Sequence, residues 1–287
     1  MRLRVRPRYR RGRLMLSAIG AVAGAVLITL GTAAASPAGD AIQHVRGSFL
    51  QLTADSPTGQ AFSGVAAVGA LFPAALFPAG TTTGSVRGLA TSGAHFCTAS
   101  VVDSPAGNLA VTAAHCVTGK DHSVVFVPGY RGGQAPYGTW RVTQVFTDTA
   151  WSASADPDDD VAFLRLAPNA NGVNVESVTG AERLKTGSPD RALAKVIGYP
   201  SDTNEPVWCV NWTREFSPTQ LEFDCGGYPD GTSGGPFLTD VSPSSGEGTV
   251  IGVIGGYQQG GYTDAVSYSI VFGANVASLY RQAEASG

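Results

Sequence analysis

A serine among glycines and a histidine that follows small residues carry most of the chemical information in this sequence. The serine lies in GTSGGP, residues 231–236, and the histidine lies in TAAHC, residues 112–116. A serine hydroxyl attacks a carbonyl at neutral pH when a neighbouring base removes its proton, and histidine has a suitable pKa for that base. Ser233 and His115 are therefore the predicted nucleophile and general base.

The order of these residues along the chain limits the class of hydrolase. The GTSGG segment also fits the nucleophile turn of α/β-hydrolases, in which the acid and then the histidine follow the serine. All histidines of this chain precede Ser233; they are His44, His95, His115 and His122. That order is therefore excluded. A subtilisin-like order needs the acid first, and the aspartates before His115 lie in no recognisable strand-end motif. The order histidine, acid, serine remains.

An acidic cluster supplies the acid. The cluster DPDDD, residues 156–160, runs directly into the apolar segment VAFLRL, residues 161–166. Branched and aromatic residues in so short a run predict a buried strand. Asp160 abuts this strand, so we predict that it orients His115. For Asp156, Asp158 and Asp159 the favoured interpretation is a solvated loop, and the alternative is a calcium site with oxygen ligands.

Four segments occur in a characteristic order, namely HFC at 95–97, VTAAHC at 111–116, DVAFLRL at 160–166 and GTSGGP at 231–236. Together they resemble the chymotrypsin family of serine endopeptidases, above all its secreted bacterial trypsin-like and glutamyl-endopeptidase branch. The resemblance implies an all-β fold of two packed six-stranded antiparallel β-barrels with a C-terminal helix. It also implies a triad of His115, Asp160 and Ser233, with an oxyanion hole formed by the N–H groups of Gly231 and Ser233.

The same resemblance implies where a substrate binds. The pocket residues would be Gly227, Tyr228, Asp230, Gly255, Gly256 and Tyr257. Trypsin has an aspartate where this chain has Gly227, and glutamyl endopeptidases have a histidine where it has Ile254, so neither specificity has its determinant. The backbone of residues 255–257 is expected to pair with the substrate as an added strand. Thr232 replaces the aspartate that pairs with a new N-terminus in the animal digestive enzymes.

The composition and the positions of turn-forming residues predict the strands and the helix that position these residues. The 287 residues include 37 glycines and 17 prolines, and only 14% are charged. Short apolar runs such as 123–127, 192–198 and 249–254 are separated by turn signals, a pattern that predicts strands and hairpins. A helix is predicted over 275–284, with Val276, Leu279 and Tyr280 on one face. The two barrels would span about residues 62–170 and 171–274 within a protease domain, 61–287.

The N-terminus predicts export. Residues 1–13 contain seven arginines and no acid, residues 14–30 are almost wholly apolar, and three alanines follow at 33–35. These are the parts of a secretory signal peptide, which we predict to be residues 1–35 in a secreted bacterial protein. An uncleaved membrane anchor is the alternative. Residues 36–60 are interpreted either as a removable pro-segment or as a disordered arm.

The cysteines fit an exported protein. Their number, four, is even, which predicts two disulfides in an oxidising compartment, and the sequence alone permits three pairings. The family resemblance implies that Cys97 pairs with Cys116 and that Cys209 pairs with Cys225. No Cys-x-x-Cys or His-x-x-x-His spacing occurs, so we predict no metal site. No cofactor is predicted either.

The net charge of the chain limits the classes of partner that it is expected to bind. Without the leader, twelve basic residues (19 − 7) face 22 acidic ones, a net charge near −10. Such a chain has no basic face for phosphates, so nucleic acid is not an expected partner. We predict a monomer that acts on polypeptide substrates and that, if the leader is cleaved, has no stable membrane association. The alternative is a protein of the protease fold that has lost turnover and binds a partner.

Overall fold

The structure of this protein is a computed structural model that describes residues 56–77, 84–85, 94–119, 123–187 and 191–286. The predicted signal peptide, residues 1–35, lies outside the described residues, as does most of the segment 36–60. Within the described ranges, no helix is both long enough and apolar enough to cross a membrane.

Strands dominate the described part of the chain. Its strands are β1 (Gln60–Ala61), β2 (Val68–Pro73), β3 (Gly84–Ser85), β4 (Cys97–Val102), β5 (Leu109–Thr112), β6 (Val124–Pro128), β7 (Gln134–Ala135), β8 (Trp140–Thr147), β9 (Ala162–Leu166), β10 (Arg183–Leu184), β11 (Leu193–Gly198), β12 (Val207–Ser217), β13 (Gln220–Asp224), β14 (Pro236–Thr239), β15 (Thr249–Val253) and β16 (Val266–Ile270). Its α-helices are α1 (Ala114–Val117), α2 (Thr149–Ser154), α3 (Glu176–Thr179) and α4 (Ala274–Ala285). Short 3₁₀-helices cover Ala74–Leu76, Pro157–Asp159 and Tyr257–Gly260.

The first barrel is closed by six antiparallel strands in the order β2-β4-β5-β9-β8-β6. Successive side chains of a strand point to opposite faces, and in β2 both faces are buried. Leu71 belongs to an apolar cluster with Phe126 and Leu164. Its neighbour Phe72 belongs to a second cluster that continues into Ile197 of the other half. Burial on both faces explains why β2 is a nearly continuous apolar run in the sequence.

The second half is a sheet in the order β10-β15-β14-β11-β12-β13-β16, with β1 paired to β12. Its two sides meet between β15 and β16 without a regular ladder in the described residues. Instead, the Val253 N–H donates to Ser269 Oγ at 3.0 Å, and the Gly255 N–H donates to the Tyr268 carbonyl at 2.9 Å. The predicted all-β class is confirmed: one half is a closed six-stranded antiparallel barrel, and the other half is an eight-stranded sheet in which β10 pairs with β15 in parallel.

The C-terminal helix α4 confirms the prediction to within one residue at each end. Val276 and Leu279 are buried, and the Tyr280 ring lies 5.1 Å from the Phe163 ring of the first barrel. The predicted apolar face is therefore the packing face.

The segment before β2 belongs to the second sheet. The Gly226 N–H donates to the Pro57 carbonyl at 2.8 Å, and the Gly59 N–H donates to the Gly226 carbonyl at 2.7 Å. Strand β1 then pairs with Trp208 and Val207 of β12. The folded domain therefore includes residues 57–60, which lie before the predicted boundary at residue 61.

The connection between the two halves contains a buried carboxyl group. Glu182 is fully buried and pairs with Val102 of the first barrel in a parallel bridge. Its Oε2 accepts a hydrogen bond from the Gly248 N–H, and its Oε1 has no partner among the described residues. Burial raises the pKa of Glu182 to about 7, and the Gly248 hydrogen bond and the charge of Lys195 oppose this only in part.

This carboxyl group predicts a pH dependence of stability. The pKa of Glu182 rises from 4.5 to about 7 on folding, so the folded state binds this proton more tightly than the unfolded state. The resulting stabilisation is complete below pH 4.5 and disappears as the pH rises through 7. It amounts to about 3 kcal/mol. We expect Glu182→Gln to remove this component of the pH dependence in urea unfolding measured from pH 4.5 to 8. Glu215→Gln, at an exposed position, is the control and should keep the pH dependence of the wild type. An unfolding free energy that varies with pH in Glu182→Gln as it does in the wild type would contradict this assignment.

Candidate active site

Two paired strands bring the histidine and the acid together. His115 lies in α1, immediately after β5, and Asp160 lies immediately before β9. The end of β5 pairs with the start of β9, Thr112 opposite Ala162. As a result, His115 Nδ1 lies 2.7 Å from Asp160 Oδ2, and the His115 backbone N–H donates to Asp160 Oδ1 at 2.9 Å.

Asp160 is fully buried, and three N–H donors surround its carboxylate. The third is the Gly256 N–H, which donates to Oδ2 at 2.9 Å. A buried carboxylate needs such partners, because desolvation without hydrogen bonds costs several kcal/mol. With Nδ1 bound to Asp160, the neutral His115 ring holds its proton on Nδ1, and Nε2 is left as a proton acceptor.

Ser233 lies on the loop that leads into β14 and is partly exposed. Its carbonyl accepts a hydrogen bond from the Thr98 N–H at 2.7 Å, and the next N–H, of Gly234, donates to the Ile254 carbonyl at 2.7 Å. Ser233 and His115 line the same cleft of about 580 Å³. The Ser233 hydroxyl makes no hydrogen bond among the described residues, which is common for catalytic groups before a substrate binds.

The backbone before Ser233 presents two free donors. The N–H groups of Gly231 and Ser233 have no acceptor in the described part of the chain. The carbonyl of the 230–231 peptide accepts a hydrogen bond from the Ser201 N–H at 2.8 Å, and in a trans peptide the N–H then points the opposite way. Gly231 has φ +95°, and a Cβ there would lie 2.5 Å from the Ser201 nitrogen. Only glycine fits this turn.

The sequence model of the trypsin family matches residues 80–277. The chain belongs to the trypsin family. Its fold is similar to that of the protease Anisep from Arthrobacter nicotinovorans, with 22% identity, a TM-score of 0.64, and coverage of 79% of this chain and 100% of that chain. It is also similar to AL20, a thermostable serine protease from an extremophilic microorganism, with 21% identity, a TM-score of 0.62 and coverage of 78% and 99%. A Glu endopeptidase has 14% identity, a TM-score of 0.58 and coverage of 80% and 97%.

No curated protein matches this sequence. At the identities above, the likeness to solved structures shows the fold, and the family match supplies the class of enzyme. The trypsin-family domain is that of a serine-type endopeptidase, as the resemblance in the sequence implied.

The cysteines of this trypsin-family chain form two disulfides. Cys97 is bonded to Cys116 and Cys209 to Cys225, the pairing that the family resemblance implied. The first ties α1, and with it His115, to the start of β4. Among the described residues, the one group of three His, Cys, Asp or Glu side chains close enough to share an ion is Cys97, His115 and Cys116. Both of its sulfurs are in the disulfide, so they are not available as thiolate ligands.

The acids before Asp160 have separate roles. Asp156 Oδ1 accepts the Asp158 N–H at 3.1 Å and begins the 3₁₀-helix. Asp158 accepts a hydrogen bond from Gln220 at 2.7 Å, and Asp159 accepts one from Asn275 at 2.7 Å. Burial raises the pKa of Asp159. These contacts build the loop that holds Asp160, and the carboxylates do not converge on a common centre.

The predicted pocket residues fall into two groups. Tyr228 and Asp230 line the cleft, together with the segment 258–264. Gly227 lies behind this wall, where an added Cβ would be 3.6 Å from the Gly59 nitrogen.

The segment 255–257 has its N–H groups engaged within the protein. Gly255 donates to the Tyr268 carbonyl at 2.9 Å, Gly256 donates to Asp160, and Tyr257 donates to Gln220 Oε1 at 3.1 Å. Tyr257 also begins a 3₁₀-helix. In this conformation these three donors are not available to an added strand, and their role is to hold Asp160 and the cleft wall.

The charged residues that line the cleft agree with the absence of the histidine that glutamyl endopeptidases have where this chain has Ile254. Asp230 and Asp264 line it and are both exposed, whereas its described lining contains no lysine or arginine. His95 also lines the cleft, and burial lowers its pKa. The described lining therefore offers no permanent positive charge to an acidic substrate side chain.

Two supporting residues were not singled out from the sequence. Gln220 of β13 joins the acidic loop to the cleft wall, because its amide contacts both Asp158 and Tyr257. Thr98 of β4 donates its hydroxyl to the Gly231 carbonyl, in the loop that carries Ser233. Both lie in ordinary strand segments, and no local motif marks them.

Proposed function

We propose that this chain is an exported serine endopeptidase that cleaves peptide bonds with Ser233, His115 and Asp160. The observation that carries the proposal is the buried Asp160 carboxylate, which binds His115 at 2.7 and 2.9 Å beside a cleft that Ser233 also lines. Membership of the trypsin family supplies the reaction class.

In the proposed reaction, Ser233 Oγ attacks the scissile carbonyl and His115 Nε2 takes the hydroxyl proton. Asp160 keeps the ring oriented and stabilises the imidazolium that forms. The N–H groups of Gly231 and Ser233 bind the oxyanion of the tetrahedral intermediate. Its collapse breaks the C–N bond, and His115 donates its proton to the leaving amine. Water then hydrolyses the acyl-enzyme by the same sequence, and Ser233 regains its proton.

Export is supported by composition and by the cysteines. The arginine-rich start, the apolar run and the small residues at 33–35 fit a cleaved leader. Both disulfides, Cys97–Cys116 and Cys209–Cys225, suit an oxidising compartment. We propose that the mature protein acts as a monomer on polypeptides outside the cell.

Digestion of a diverse peptide library, with products identified by mass spectrometry, tests the proposal. The full-length chain is expected to cleave internal peptide bonds, and the residues enriched around the cuts identify the preference of the cleft. The Ser233→Ala chain should produce no cuts. Equal product patterns from both chains, or none from either, would contradict the proposed function and favour a protein that only binds its partner.

A further inference from the structure

We propose that Thr98 is a positioning residue for catalysis, which holds the two oxyanion donors in place across the interface of the two halves. This inference rests on the proposed function, because it assigns the support of the same oxyanion hole. Thr98 is the second residue of β4 and is fully buried. It does not itself line the cleft, and its contacts with Gly231 and Ser233 are to their carbonyls, so its action on the proposed reacting atoms is indirect.

Thr98 makes four hydrogen bonds, and three of them join it to residues of the second half. Its hydroxyl donates to the Gly231 carbonyl at 3.0 Å and accepts from the Tyr199 N–H at 2.9 Å. Its backbone N–H donates to the Ser233 carbonyl at 2.7 Å. Its own carbonyl accepts from Thr112 Oγ1 at 2.7 Å, so all of its polar atoms have partners.

Two of these bonds fix peptide planes beside the oxyanion donors. The hydroxyl holds the 231–232 peptide by its carbonyl, and the N–H holds the 233–234 peptide by its carbonyl. Gly231, at φ +95°, has no side chain to restrict rotation of its two flanking peptides. Rotation of either peptide changes the dihedral angles of Gly231, and with them the relative orientation of the Gly231 and Ser233 N–H groups. The Ser201 N–H holds the first peptide by the Asp230 carbonyl. The Thr98 hydroxyl holds the second by the Gly231 carbonyl, and the N–H of this second peptide donates to the Pro229 carbonyl at 3.2 Å.

Thr98 also connects the nucleophile to the base. Its neighbour Cys97 is bonded to Cys116, which adjoins His115. On the other side, Tyr199 follows β11 of the second sheet. One threonine therefore joins the strand that anchors His115 to the loop that carries Ser233. A displacement of about 1 Å between reacting groups is enough to slow catalysis about 100-fold.

The variants that test this inference remove or keep the Thr98 hydroxyl group. Thr98→Val keeps the shape of the side chain and leaves the Gly231 carbonyl and the Tyr199 N–H unpaired in the interior, which costs stability as well as alignment. Thr98→Ser keeps the hydroxyl. Thr213→Val is a matched control, because Thr213 is also fully buried and its hydroxyl also accepts from an N–H and donates to a carbonyl, both of Ala192. Thr213 lies in β12, outside the proposed site.

The test measures kcat and KM on one peptide substrate, with each full-length chain normalised by active-site titration. Thr98→Val is expected to lower kcat by about 10- to 100-fold, with KM changed less than about threefold. Thr98→Ser should restore kcat to within about threefold of the wild type, and Thr213→Val should leave kcat unchanged while lowering the melting temperature. If Thr98→Val does not fold, Thr98→Ala and Thr98→Ser give the same comparison, since both lack the methyl group and only the alanine lacks the hydroxyl.

The outcomes separate this inference from the proposed function. An active wild type whose kcat is the same in Thr98→Val and Thr213→Val would overturn the role of Thr98. An equal loss of kcat in Thr98→Ser and Thr98→Ala would overturn it too, because the hydroxyl would then be irrelevant. A wild type without hydrolytic activity would instead refute the proposed function itself.

Discussion

Ser233→Ala is expected to reduce kcat for peptide hydrolysis by about 10⁶-fold, the scale of loss when a serine nucleophile is removed. Alanine has no oxygen with which to form the acyl-enzyme. The fold should survive, because the Ser233 hydroxyl has no hydrogen-bond partner among the described residues, whereas its carbonyl bond to Thr98 is retained. The measurement is hydrolysis of a fluorogenic peptide, with circular dichroism as the check on folding.

The matched control is Ser154→Ala, which removes an exposed serine hydroxyl at the end of α2 and should keep wild-type activity. A Ser233→Ala chain that retains more than about a tenth of the wild-type rate would contradict the assignment of the nucleophile, since removal of one triad member normally leaves only residual catalysis. A protein that only binds its partner would show no change in binding with either variant.

Asp160→Asn is expected to lower kcat by about 10⁴-fold. The carboxylate accepts three N–H donors, from the His115 backbone, His115 Nδ1 and Gly256. An amide has one oxygen, so in either orientation its NH₂ group meets at least one of these donors. If it faces Nδ1, the ring holds its proton on Nε2 and no longer accepts the proton of Ser233. The steady-state rate of peptide hydrolysis measures this loss.

Asp159→Asn is the control for Asp160→Asn, because Asp159 lies in the same acidic loop and accepts a hydrogen bond from Asn275 instead of His115. It should retain activity within about a factor of three, since an amide oxygen can still accept the hydrogen bond from Asn275 and the contacts of Asp160 are unchanged. A loss of less than about tenfold in Asp160→Asn would show that Asp160 does not set the tautomer of His115.

Much of the fold was predictable, and the three residues of the proposed triad could be selected, because their sequence signals are local. The apolar run after Asp160 forms β9, and the helical spacing near the C-terminus gives α4. The order of His115, Asp160 and Ser233 selected one hydrolase architecture, which the trypsin family match confirms. The disulfide pairing came from the resemblance, because four cysteines permit three pairings without it.

The features of the fold and the site that were not predicted depend on contacts between segments that are distant in the sequence. The N–H of Gly256 meets Asp160 across 96 positions, and Thr98 meets Gly231 across 133. The segment 57–61 pairs with residues 207–208 and 226, although its small and polar residues show no strand pattern. In each case the partner is selected by the tertiary fold, so neither periodicity nor local propensity identifies it.

Labelling with a fluorophosphonate, which reacts with serines activated by a histidine, tests the central claim most directly. The full-length native chain is expected to gain one adduct, which mass spectrometry places on Ser233. Prior unfolding in urea should abolish the adduct, because the contact of His115 with Asp160 and the shared cleft exist only in the folded chain. A native chain that gains no adduct, or gains it on another serine, would contradict the account.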